Sequence, residues 1–96
     1  MSNRQIAREL VNRNLGSFEG RNDRVELLPR VKAQLAGAAP QSPAGTYLML
    51  HARVWFDIET GTWHSSTPPG RIGEQVANEL AERVIWAVQE ALSAVV

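Results

Sequence analysis

Apolar and polar positions alternate through the middle of the chain. The stretch from Thr46 to Thr67 reads TYLMLHARVWFDIETGTWHSST, with Leu48, Leu50, Ala52, Val54 and Phe56 in one phase and Tyr47, Met49, His51, Arg53, Trp55 and Asp57 in the other. A period of two is the mark of a half-buried strand. Gly61, in DIETGT, supplies the positive φ of a type I turn closed by a G1 bulge. The pattern therefore predicts a β-hairpin over 46–67, with Ile58 opposite Thr62, Asp57 opposite Trp63 and Phe56 opposite His64. In that register Trp63 joins Tyr47, Met49, Arg53 and Trp55 on the face turned away from the core. A slip of one residue would carry it to the other face.

After Pro68-Pro69-Gly70 the period changes to that of a helix. Ile72, Val76, Leu80, Val84, Ala87, Ala91 and Val95 form one stripe, widened by Ala77, Val88 and Leu92, which predicts a long helix over 71–95. Trp86 falls off this stripe, beside Glu79, Arg83 and Glu90. At the other end, Ser2 or Asn3 caps a helix that reaches about Asn14, with Ile6, Leu10 and Val11 inward and a Glu9–Arg13 pair at i,i+4. Leu15-Gly16 reads as its stop, and 17–22 as a polar connection.

Leu27, Val31 and Leu35 are spaced as on a second helix, which Pro29 interrupts. Either that helix kinks, or Arg24–Leu28 is extended, forming a third strand, and a short helix starts at Pro29. The stretch 37–45 (GAAPQSPAG) reads as a linker. The expected architecture is thus α+β, a small single domain over 1–96 in the order α-α-β-β-α. A basic helical portion spans 1–36, and the hairpin packs on the long C-terminal helix.

Composition narrows the setting. At 96 residues, 44% hydrophobic and 21% charged, the chain has the make-up of one folded domain. It holds no cysteine, which excludes disulfides, thiolate chemistry and cysteine zinc sites and favours a cytoplasmic home. MSNRQIAREL lacks a signal-peptide apolar core, and no run approaches a membrane span. Residues 1–36 hold seven basic against four acidic side chains, a net of +3, and residues 37–96 carry the balancing −3. The two halves either pack against each other or leave a basic surface for nucleic acid or an acidic partner.

Candidate chemistry is sparse. In the expected register His51 and His64 lie roughly 16 Å apart at strand rise and point to opposite faces, so they do not share a metal. Asp57 and Glu59 sit at a hairpin tip, where their expected role is to solubilise the turn. Ser65-Ser66-Thr67 lack a strained nucleophile turn and an orienting acid, and the glycines form no phosphate loop. No catalytic residue, metal ligand or cofactor is assigned, and a non-enzymatic role is expected.

The segment Arg4–Leu10 (RQIAREL) resembles the opening helix of bacterial helix-turn-helix domains. That resemblance implies a nucleic-acid-binding regulator as the alternative, using Arg4, Arg8, Arg21, Arg24, Arg30 and Lys32 on phosphates. A loop of about eight residues and Pro29 depart from the pattern.

The aromatic surplus points to a protein partner. Three of the six aromatic residues are tryptophan, and tryptophan, tyrosine, methionine and arginine are enriched at interface cores. Tyr47, Met49, Arg53, Trp55, Trp63 and Trp86 are the candidate protein-binding residues. The second face of the ribbon needs a cover, either the N-terminal helices, which would make Trp55 and Trp63 core, or another chain, a homodimer partner included. The expected function is an inhibitor or adaptor, of phage or mobile-element type, acting on a bacterial host or defence protein.

Overall fold

A computed structural model describes residues 2–37, 42–66, 70 and 72–94. It is an α+β domain with eight described elements: α1 (Asn3–Asn12), β1 (Gly16–Ser17), β2 (Arg24–Leu27), α2 (Pro29–Leu35), α3 (Pro43–His51), β3 (Val54–Asp57), β4 (Thr62–Ser65) and α4 (Glu74–Ser93). The strands form one antiparallel sheet in the order β1-β2-β3-β4, and the long C-terminal helix packs against the hairpin. Most of the buried apolar side chains make one cluster, drawn from the inner face of the sheet and from α1, α3 and α4, while Val31, Ala33 and Ala77 are buried outside it.

Ser2 caps α1 as expected. Its hydroxyl accepts from the Gln5 amide at 3.2 Å, and its own N–H donates to Gln5 Oε1 at 2.7 Å, a reciprocal capping box. Glu9 and Arg13 pair at 3.0 Å. The left-handed residue that ends the helix is Asn14 (φ 58°), two positions before the expected glycine. Gly16 serves another purpose, because it lies in β1 against β2. A Cβ there would sit 2.6 Å from Val25 Cγ1 and 2.9 Å from the Glu26 carbonyl oxygen.

The segment around Pro29 takes the second of the two expected routes. Arg24-Val25-Glu26-Leu27 alternates half-buried and buried as strand β2, and α2 begins at Pro29. Proline supplies the helical φ at the first position while pushing Leu28 to an extended conformation (φ −68°, ψ 142°). The residues expected as a polar connection turn the chain through Glu19 and Gly20, both with positive φ, to bring β2 back along β1.

The expected hairpin over 46–67 is too long at its start. Residues 43–51 are the helix α3, with Ser42 accepting from the Gly45 amide and Pro43 in the first turn. A cap followed by proline is a helix-start signal, and here it lies inside the stretch taken for a linker. Residues 38–41 of that stretch, and Thr67 to Pro69, lie outside the described residues. The helix separates residues that the strand pattern had grouped. Leu48 is fully buried while Leu50 is 65% exposed.

The turn between β3 and β4 contains the expected positive φ at Gly61 (69°). Its register is one residue from the expected one: Asp57 pairs with Thr62, Phe56 with Trp63, Trp55 with His64 and Val54 with Ser65. The cause is Ile58, which leaves the ladder for the core (7% exposed) while its N–H donates to Asp23 O at 2.9 Å. Trp63 therefore faces inward, its ring 5.2 Å from that of Phe56. Together with Ile6, Gln89 and Leu92 it borders a cavity of about 380 Å³ between α1, the turn and α4.

Helix α4 starts at Glu74 and buries Ala77, Leu80, Ala81, Val84, Val88 and Leu92. The stripe is rotated from the expected one, so that Val76 is 43% exposed; Val95 lies outside the described residues.

Three substitutions test this packing. Gly16→Ala forces Val25 and the β1–β2 ladder apart and should cost about 1–3 kcal/mol, read as a lower urea midpoint at unchanged m-value. Trp63→Ala removes an inward ring and should cost about 2–4 kcal/mol. Trp55→Ala, on the opposite face, should cost under about 1.5 kcal/mol in the same assay.

Candidate interaction face of the sheet

Strand alternation gives the sheet two unlike faces. Val25, Leu27, Val54, Phe56 and Trp63 face the helices. Arg24, Glu26, Trp55, Asp57, Thr62 and His64 share the other face through the registers Glu26↔Trp55↔His64 and Arg24↔Asp57↔Thr62. Among the described residues no helix covers this outer face, and its side chains pack on one another.

Trp55 is the centre. His64 stacks on one side of the indole, ring centroids 5.7 Å apart and planes at 21°. The Arg24 guanidinium lies 4.9 Å from the Trp55 centroid, a cation–π contact. Arg24 Nε is buried without a hydrogen-bond partner. The Glu26 carboxylate stands between two guanidinium groups, 3.9 Å from Arg24 Nη2 and 3.6 Å from Arg53 Nε. On the far side His64 Nε2 and Thr62 Oγ1 are 2.9 Å apart, and Thr62 Oγ1 is 2.6 Å from Thr60 Oγ1. Asp57 is occupied by the turn, accepting from the amides of Glu59 (2.9 Å) and Thr60 (3.1 Å).

Of the six candidate protein-binding residues, only Arg53 and Trp55 meet on this face. Tyr47 and Met49 belong to α3, where the Tyr47 ring lies 4.5 Å from His51. Trp63 is on the core side, and Trp86 is 64% exposed on α4. Arg24, Glu26 and His64 complete the site and were not grouped with it from sequence. The signal for the first two was the alternation in Arg24-Val25-Glu26-Leu27. His64 required the correct register, which sets it opposite Trp55 and not Phe56.

The basic residues of the nucleic-acid alternative do not form one surface. Arg4 and Arg8 are exposed on α1, and Arg30 is exposed at the start of α2. Arg21 is engaged by Asp23 at 3.1 and 3.3 Å, a pairing that holds the Asp23 carboxyl below its usual range. Arg24 belongs to the stack on Trp55. After α1 comes the β1–β2 hairpin, so the helix-turn-helix order is not formed.

Lys32, the sole lysine of the chain, is only 4% exposed. Its ammonium donates to the carbonyls of Leu48 (3.4 Å) and Ala52, closing the C-terminal end of α3. Burial lowers its pKa from the ordinary 10.5; the Glu26 carboxylate acts to raise it and Arg53 to lower it further. Because the folded value lies below the unfolded one, the unfolded chain binds more protons between the two. Stability therefore rises with pH through that window. The single lysine Cε resonance of isotopically labelled protein should titrate below 10.5 in the folded state and near 10.5 in urea. The wild type should also gain stability over Lys32→Met as pH rises toward that value.

Compared with protein-family models, curated proteins and solved structures, the chain matches none. The reading of its function rests on its own geometry.

Proposed function

We propose that the chain is a non-enzymatic protein-recognition module, an adaptor or inhibitor that grips a partner protein with the outer face of its sheet. The observation that carries this reading is Trp55, fixed between Arg24 and His64 on a sheet face that no described helix covers. A tryptophan held in one orientation loses little further freedom on binding, and tryptophan and arginine supply most hot spots of protein interfaces. The exposed Arg53 beside it offers a guanidinium for a carboxylate or carbonyl of the partner.

The same face argues against phosphate binding there, since Glu26 and Asp57 stand among its arginines. A nucleic-acid-binding regulator would have to use Arg4, Arg8 and Arg30 instead. The lack of cysteine suits a cytoplasmic setting. A bacterial host or defence protein is the class of target we assign to it, as a phage-type inhibitor or adaptor would require.

Capture from native cells with the wild-type chain, followed by binding measurements on the purified partner, tests the proposal. Trp55→Ala should weaken binding by about tenfold or more while the fold persists, and Thr46→Ala on α3 should not. Retention of full affinity by Trp55→Ala would overturn the sheet-face reading. Tight, steeply salt-dependent binding of mixed duplex DNA, lost in Arg4→Ala/Arg8→Ala, would move the function to α1.

A further inference from the structure

Helix α4 leaves its own uncovered face. Opposite the buried row of Ala77, Leu80, Val84 and Val88 lie Glu79, Glu82, Trp86 and Glu90, at the i, i+3, i+7, i+11 spacing of one outward row. Trp86 is 64% exposed. Beside it a groove of about 810 Å³ runs between α4 and α2, lined by Leu35, Glu79, Glu82, Arg83, Trp86 and Ala87.

Among the described residues no ion pair answers the charges of this face. The ion pairs among the described residues are Glu9–Arg13, Arg21–Asp23, Arg24–Glu26 and Arg53–Glu26, none of them on α4. Glu79 accepts only from Gln75, at 3.3 Å. Arg83, the one basic residue of α4, reaches toward the end of α2, its Nη2 3.2 Å from where a Cβ on Gly37 would stand.

The complement lies on α1. Arg4 and Arg8 are one turn apart on its exposed side, and neither has an acidic partner among the described residues. Arg13 occupies the other flank, held by Glu9 and by the Ala91 carbonyl of α4 at 2.9 Å. The free basic row thus points off the side of α1 away from α4. The chain is neutral as a whole yet carries a basic row and an acidic row on different flanks.

We propose that copies of this chain associate head to tail, the Arg4–Arg8 row of one seated on the Glu79–Glu82–Trp86 face of the next. Charge complementarity selects the occupant, and the exposed indole offers a guanidinium a cation–π contact beside the carboxylates. Because the two rows lie on different flanks, the contact is heterologous and builds a ring or an open chain. This surface is separate from the sheet face, so failure of either proposal leaves the other standing.

Sedimentation velocity of the full chain tests it. At about 0.01 M salt, where the Debye length is about 30 Å, the wild type should sediment as more than a monomer. At about 1 M salt it should be monomeric. Arg4→Glu/Arg8→Glu and Glu79→Arg/Glu82→Arg should each be monomeric at low salt, with circular dichroism confirming the fold. An equal mixture of the two should assemble again, since each reversed row meets its complement. Trp86→Ala should weaken association at least tenfold with an unchanged melting temperature. A wild type that stays monomeric at low salt, or an assembly that persists in either reversed variant alone, overturns the proposal.

Discussion

The four residues from Ile58 to Gly61 decide which tryptophan the molecule keeps and which it presents. The Asp57 carboxylate holds the amides of Glu59 and Thr60, and Gly61, in a left-handed conformation, donates its N–H to the Asp57 carbonyl at 2.9 Å. These bonds make Asp57 and Thr62 the closing pair. Every side chain of β4 then takes its face from that pair, because alternation along a strand admits only two outcomes. Trp63 packs on Phe56, and His64 stacks on Trp55. With one residue fewer in the loop, an imidazole would stand where the core now has an indole. Ile58 stabilises the observed choice from two directions, burying its side chain and bonding its amide to the carbonyl of Asp23, just before β2.

A sheet with helices on one side only must hold its second face together by itself. Here the side chains are long and partly apolar, and they shield one another. The Arg24 stem and guanidinium cover one side of the Trp55 indole and His64 covers the other, while Glu26 neutralises the arginines on either hand. Each contact is modest, and cross-strand pairs of this kind contribute about 0.2–1 kcal/mol. Their joint effect is to order the face before anything binds to it. What remains toward solvent is the exposed rim of the stack and the outer part of Arg53, which is paired on its inner side with Glu26.

The parts of this architecture written in local sequence were legible. The cap at Ser2 or Asn3, the Glu9–Arg13 pair, the long C-terminal helix and the positive φ at Gly61 each depend on residues within one or two turns of each other. Helix α3 was not legible from periodicity, because Tyr47-Leu48-Met49-Leu50 is apolar in both phases and fits a strand and a helix equally. The deciding signal was Ser42-Pro43, whose cap lies outside the apolar run. The register error has a longer reach. Whether Ile58 stays in the ladder depends on β2, and β2 was open until Pro29 was seen to begin a helix. The interaction face inherits that difficulty, since Arg24 and His64 meet on Trp55 only after two strand pairings are fixed.

The two proposed contact surfaces are the two outer sides of one layered body. The core lies between the inner face of the sheet and the inward row of α4, with Phe56 and Val54 from one side and Val84, Val88 and Leu92 from the other in the same cluster. Whatever faces outward from α4 is therefore turned away from whatever faces outward from the sheet. A contact through Trp86 leaves Trp55 open, and copies joined through α1 and α4 would repeat the Arg24–Trp55–His64 stack at regular intervals. A partner with several matching sites would then meet many copies of a modest face, and the linked contacts would hold far more tightly than one face alone. In such an assembly the number of linked copies, and not the size of any one sheet face, would set the strength of attachment.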